Sequence, residues 1–138
     1  MKIDIVGPSY PFRGGISHYT TLLFQNLRKK HRVKLYSIKR QYPRFLYPGK
    51  TDQDNSLSPL RDAEIESCLD SANPFTWFKV AGKIIGDKPD LTIFPWWVVF
   101  WAPQFLIIIW TLKLFSRTKI LFICHNILEH ERNCWKSI

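Results

Sequence analysis

The apolar positions of this chain switch repeatedly between two rhythms. Lys2-Ile3-Asp4-Ile5-Val6 is short and rich in β-branched residues, which predicts a strand. Ile16, Tyr19, Leu22, Leu23 and Leu27 then recur near 3.6-residue spacing and predict a helix with those residues on its apolar face. That helix is expected to end near Lys29-Lys30, where cations complement the C-terminal dipole. Arg32–Ile38 returns to strand character, with Val33, Leu35, Tyr36 and Ile38. Lys39 to about Asp62 reads as a long irregular connection carrying Pro43, Pro48-Gly49 and the polar run Thr51–Ser56.

The second half repeats the alternation. Ala63–Leu69 is a candidate short strand. Asn73-Pro74 is a helix start, with Asn as the N-cap and Pro in the first turn. Phe75, Phe78, Val80, Ile84 and Ile85 are expected on its apolar side, Gly86 at its C-cap, and Pro89 as the stop. Leu91–Phe94 reads as a buried strand, Ala102–Phe115 as a nearly all-apolar helix, and Lys119–Cys124 as a strand buried on both faces. Strands alternating with helices predict an α/β fold, a Rossmann-like doubly wound parallel sheet. Ligands of such sheets bind beyond the carboxyl ends of the strands, so the loops Gly7–Ser17 and His125–Glu131 are expected to share one crevice.

Length and composition narrow the field. With 138 residues the chain suits one domain, 1–138, with a real core; 46% hydrophobic and 22% charged residues argue for a folded globular chain. Cys68, Cys124 and Cys134 are odd in number and contain no C-x-x-C pair, which fits a reducing compartment, and the N-terminus runs straight into a strand; the cytoplasm is the expected location. A net charge of +9 is compatible with nucleic acid, an anionic membrane face or a phosphate-bearing substrate. No recognised nucleic-acid motif supports the first. Leu91–Leu112 carries no charge and is long enough for a membrane helix, but Pro95, Pro103 and Gln104 divide it into a strand and a separate helix.

Chemistry concentrates in two loops. Gly14-Gly15 opens the first helix and can bring a phosphate close to backbone N–H groups, although a plain turn explains the pair as well. It is not a dinucleotide fingerprint: the glycines come eight residues after Val6, and Lys39-Arg40 stand where an NAD site needs an acid. His125 follows the last strand, where an imidazole can orient a substrate hydroxyl or simply bond to a loop carbonyl. Trp96-Trp97 and Trp101 are candidates for an exposed loop that stacks on a sugar or meets lipid, with core packing as the alternative. Cys124, His125, His130 and Cys134 match no zinc spacing. Asp52-Gln53-Asp54 has the D-x-D form of metal-dependent sugar transferases, but Asp62/Glu64, Glu64/Glu66 and Glu129/Glu131 share its spacing, so it carries no weight.

Taken in order, Gly7-Pro8-Ser9-Tyr10-Pro11-Phe12-Arg13-Gly14-Gly15-Ile16, Lys39-Arg40-Gln41-Tyr42-Pro43 with Leu46-Tyr47-Pro48-Gly49-Lys50, Asn73-Pro74, Trp96-Trp97 with Ala102-Pro103, and His125-Asn126 with His130-Glu131 resemble the N-terminal domain of retaining GT-B glycosyltransferases of family 4. The resemblance implies the N-terminal, acceptor-side half of a GT-B fold. It implies that Gly14 and Gly15 lie against the donor diphosphate and that His125 is the active-site histidine. Tyr10, Arg13, His18, Trp96, Trp97, Asn126, His130 and Glu131 would line the cleft. The expected substrates are a nucleotide-sugar donor and an envelope or lipid-linked glycan acceptor, with no metal or other cofactor and no nucleic acid. Many members work at the inner face of the cell membrane, so an anionic membrane surface is an expected peripheral contact. The family's C-terminal domain has no counterpart here, which makes the chain an expected truncation or half-enzyme that does not transfer sugar efficiently alone and whose last strand is an uncovered edge. A non-catalytic module binding a phosphorylated or lipid-linked ligand is the alternative.

Overall fold

A computed structural model describes residues 1–10, 12, 14–40 and 65–125. The strands are β1 (Lys2–Val6), β2 (Arg32–Arg40), β3 (Glu66–Asp70), β4 (Leu91–Trp96) and β5 (Lys119–Cys124). The helices are α1 (Gly15–Leu27), α2 (Pro74–Asp87) and α3 (Ala102–Phe115), the last preceded by a single 3-10 turn, Val99–Trp101. All pairings are parallel, in the order β3-β2-β1-β4-β5. Of the expected connection from Lys39 to about Asp62, Lys39 and Arg40 instead continue β2 and the rest lies outside the described residues, as do the first two positions of the Ala63–Leu69 strand, which is seen as Glu66–Asp70.

Side-chain alternation splits the core into two layers. Ile3, Ile5, Leu35 and Ile93 pack with Phe24 of α1 on one face of the sheet. Val6, Tyr36, Ile38, Leu69 and Phe94 pack with α2 and α3 on the other. A sheet covered on both faces is the Rossmann-like arrangement that the alternating pattern predicts. Strand order reverses between β1 and β4, and a crevice at such a reversal, beyond the carboxyl ends, is where ligands of these sheets bind.

Several expectations need correction. In α1 the buried residues are Ser17, Thr20, Thr21 and Phe24, while Tyr19 and Leu22 are exposed. The small hydroxyl residues can face the sheet because their polar atoms are satisfied within the helix: Thr20 Oγ1 donates to the Ile16 carbonyl and Thr21 Oγ1 to that of Ser17, each at 2.8 Å. In α2 the inward face is Trp77, Val80, Ala81 and Ile84, and Phe75 and Phe78 point to solvent. Trp77 also donates its indole N–H to the Asp70 carbonyl at 2.8 Å, which anchors it inward. The N-cap is as expected, with Asn73 accepting from the Phe75 N–H, but the helix runs past Gly86 to a left-handed cap at Lys88, φ 53°. β5 is not buried on both faces: Leu121 and Phe122 are each 43% exposed, because β5 is the outermost strand of the described sheet. The uncharged window Leu91–Leu112 is β4, the 3-10 turn and most of α3, and among the described residues no helix is long and apolar enough to cross a membrane.

Candidate functional site

The site at the carboxyl edge begins where β1 ends. The Gly7 N–H continues the ladder, donating to the Tyr36 carbonyl at 3.2 Å. A Cβ on Gly7 would stand 3.1 Å from Cγ and Cδ of Pro95, so a glycine is what lets the first loop pass the end of β4. The loop then folds down onto the sheet. Ser9 and Ser37 share a hydrogen bond between their hydroxyls at 2.5 Å, the Phe12 N–H donates to the Ser9 carbonyl, and Phe12 enters the core. The Tyr10 N–H donates to Thr21 Oγ1 at 2.9 Å. The buried hydroxyl seam of α1 therefore has a second use: it clamps the loop against the helix.

Gly14 and Gly15 follow at the surface. Gly14 has φ 123° and ψ 154°, a conformation that side chains rarely adopt, and serves as the N-cap of α1 without a side-chain cap. Its glycine requirement is thus conformational. The pair leaves the first N–H groups of α1 at an open end, where a Cβ on either residue would meet nothing within 4 Å beyond its chain neighbours and the helix's own backbone.

Two imidazoles flank this helix start. His18 lies near Tyr10, ring centroids 6.2 Å apart. His125 follows β5, and its N–H donates to the Trp96 carbonyl at 2.8 Å. Its ring meets Tyr19 edge to face at 4.6 Å. Nε2 of His18 and Nε2 of His125 are both buried without a hydrogen-bond partner. Buried polar atoms in this state are rare enough to ask what completes them, and each suits a hydroxyl or phosphate oxygen. Of the two loops expected to share one crevice, the described residues bring His125 against Tyr19 of α1, the helix that the first loop opens.

The other predicted residues fall differently. Trp96 and Trp97 are not on an exposed loop: Trp96 closes β4, and both rings pack against the α2/α3 core. Trp96 lies 6.3 Å from Phe105 of α3, and Trp97 lies 5.3 Å from Trp101. They are held on the α3 side of the sheet, while His125 is held on the α1 side. Aromatic burial outweighs exposure there because α3 offers a continuous apolar wall. Arg13, Asn126, His130 and Glu131 lie outside the described residues.

Sequence reasoning missed one residue beside His125 and one buried amide on the α3 side. Tyr19, read as a core residue of α1, is instead the rest for His125. Gln104, in the first turn of α3, is 2% exposed with neither amide atom hydrogen-bonded. The available signal was a lone amide inside an otherwise apolar window.

Perturbed ionisation lies elsewhere. Asp4 sits on the α2/α3 side, flanked in register by Lys34 and Thr92, and burial together with the nearby negative charge of Asp87 pushes its carboxyl up to about 7. Burial also raises Tyr36 and Cys68. For Asp87 burial is outweighed by its 2.6 Å hydrogen bond to Lys34 Nζ and the charges of Lys2 and Arg32, which leave it below the ordinary carboxylate value. Among the described residues, no group of His, Cys, Asp or Glu gathers in a way that could hold a metal ion.

Fold and site together define a small α/β domain with Rossmann-like topology: a five-stranded, all-parallel sheet flanked by helices. Compared with protein-family models and with curated proteins, the chain matches none, so neither comparison ties it to the glycosyltransferase family.

Proposed function

We propose that the chain is the acceptor-side domain of a retaining GT-B-type glycosyltransferase and that its cleft runs from the paired glycines to His125. The observation that carries this reading is the placement of the His125 imidazole, resting on Tyr19 beside the helix that the glycines open, with Nε2 unpartnered. In this reading the helix start faces the donor diphosphate, and His125 hydrogen-bonds a hydroxyl of the donor sugar. His18 and Tyr10 border the acceptor. The substrates are a nucleotide-sugar and a glycan or lipid-linked acceptor, met at the cytoplasmic side without a metal.

Stabilising the leaving diphosphate needs groups from a second domain, so the chain alone binds donor weakly and turns it over negligibly. Histidine NMR resonances are followed while nucleotide-sugars are added, and transfer is assayed with and without a complementing C-terminal GT-B domain. The expected result is a shift at His125 and transfer only with the second domain. Robust transfer by the chain alone, or no response of either histidine, would sink the reading.

The two unpartnered imidazole nitrogens also suit a module that binds a phosphorylated or lipid-linked ligand without chemistry. Donor binding with no transfer, even in the presence of a complementing domain, selects that reading.

A further inference from the structure

Helix α3 turns Gln104, Phe105, Ile108 and Leu112 inward. On its opposite side Leu106, Trp110 and Leu114 recur every fourth residue, forming one stripe along the helix. They are 59%, 74% and 76% exposed, and the neighbouring Phe115 is 70% exposed. A surface helix normally presents polar residues outward, so this stripe is built to meet something apolar. Its 14 residues span about 21 Å, well short of a hydrocarbon core of about 30 Å. A helix of this kind can lie in a membrane interface but not cross it.

Charge identifies the partner. At the C-terminal end of the stripe, Leu114 and Phe115 form part of a groove of about 1200 Å³ at the amino-terminal edge of β4 and β5. Lys88, Lys113, Arg117 and Lys119 line the same groove, and all four are exposed. The carboxylate in the lining, Asp90, already accepts the Lys2 backbone N–H at 2.7 Å. Apolar side chains beside a ring of cations complement acyl chains beneath lipid phosphates, and an indole such as that of Trp110 favours that boundary. A second copy of the chain would instead bring two such cationic rims together.

We propose that the outer stripe of α3 and the basic groove at its end are a docking surface for an anionic lipid bilayer. Leu106, Trp110, Leu114 and Phe115 enter the headgroup–acyl boundary, and Lys88, Lys113, Arg117 and Lys119 contact lipid phosphates. The docking surface is independent of the cleft at the opposite edge of the sheet.

The test is co-sedimentation of the full chain with vesicles of phosphatidylcholine alone and of phosphatidylcholine mixed with phosphatidylglycerol. Binding to the anionic vesicles should be at least about tenfold tighter and should weaken as salt rises. The charge reversals Lys113→Glu and Arg117→Glu should remove that preference. Trp110→Ser with Leu106→Ser should weaken binding even at low salt. All four positions are exposed, so circular dichroism should show an unchanged fold. Equal or absent binding to the two vesicle types by folded protein overturns the proposal. So does self-association in the ultracentrifuge that Trp110→Ser abolishes, which would give the stripe to a second copy. Ligand titration at His125 and vesicle binding are separate readouts, so failure of one leaves the other standing.

Discussion

The ring of Tyr19 lies edge to face against the imidazole of His125, with centroids 4.6 Å apart and an interplanar angle of 79°. The contact joins the first helix to the end of the last described strand across the whole glycine loop. Tyr19 is 41% exposed, so the pair adds positioning more than core stability. Replacing Tyr19 with Ala should cost about 0.5–1.5 kcal/mol. It should also broaden or shift the His125 ring resonances, and the His18 resonances should respond less. Unchanged His125 resonances in a folded Tyr19→Ala protein would show that the contact does not order the imidazole.

The two neighbouring glycines should behave differently. Gly14 holds φ 123°, whereas Gly15 is the first residue of α1, and a Cβ on it meets nothing within 4 Å. Gly14→Ala should lose roughly 1–2 kcal/mol in a denaturant melt. Gly15→Ala should be neutral or slightly stabilising, since alanine favours the helix. Equal losses at both positions would mean that the conformation of Gly14 is not the constraint.

Clamping of the first loop depends on one hydroxyl. Thr21 accepts the Tyr10 N–H and donates to the Ser17 carbonyl while fully buried. Thr21→Val keeps the shape and leaves the Tyr10 N–H without that acceptor, at a cost of roughly 1–3 kcal/mol. Hydrogen exchange at the Tyr10 amide should accelerate more than exchange within β1. If both amides keep their protection, the loop is held by other contacts.

The buried carboxyl of Asp4 gives stability a defined pH dependence. Its folded value of about 7 lies above the ordinary 3.8, so between those values the native state keeps a proton that the unfolded chain has released. This contribution is greatest at acid pH and is lost as pH rises to about 7. Asp87 shifts the other way, and its contribution is lost only as pH falls below the ordinary carboxylate range. Asp4→Asn should therefore raise the melting temperature most at about pH 8 and less at about pH 5, a difference of roughly 2–4 kcal/mol. Equal shifts at the two pH values would place the Asp4 titration elsewhere.

Helix α2 offers a direct comparison of the expected and observed faces. Ile84→Ala should cost about 2–5 kcal/mol, because Ile84 is fully buried in the core. Phe75→Ser should stay within about 0.5 kcal/mol, because Phe75 is 83% exposed. A loss at Phe75 as large as that at Ile84 in chemical denaturation would restore the face that the sequence pattern predicts, on which both residues are buried.

The strands were legible because β-branched runs bounded by glycine, proline and charge have few other uses. Lys119–Cys124 and Ala102–Phe115 have the expected limits, and the Asn73 cap forms as read. What misled was the assumption that the most apolar face of a helix is the buried one. In α1, Ser17, Thr20 and Thr21 face the sheet because they satisfy their hydroxyls locally and Thr21 also serves the loop. In α2, Trp77 wins the inward position through its bond to Asp70, displacing Phe75 and Phe78 outward. Of the candidate site, the placement of His125 after a strand and of the glycines at a helix start was legible. The contact of Tyr19 was not, because a tyrosine at helical spacing looks the same whether it packs inward or supports a neighbouring imidazole. The fate of Trp96 and Trp97 was hidden for a related reason: their burial depends on α3, a non-local partner.

A sheet whose strands all point the same way gives the domain two chemically distinct poles. His125 and the paired glycines occupy one, and Lys88, Arg117 and Lys119 occupy the other. β4, six residues long, separates them by roughly 20 Å. That is beyond the range over which substitutions usually couple energetically. Changes made at opposite poles should combine additively in stability, so each pole can be altered without compensating at the other.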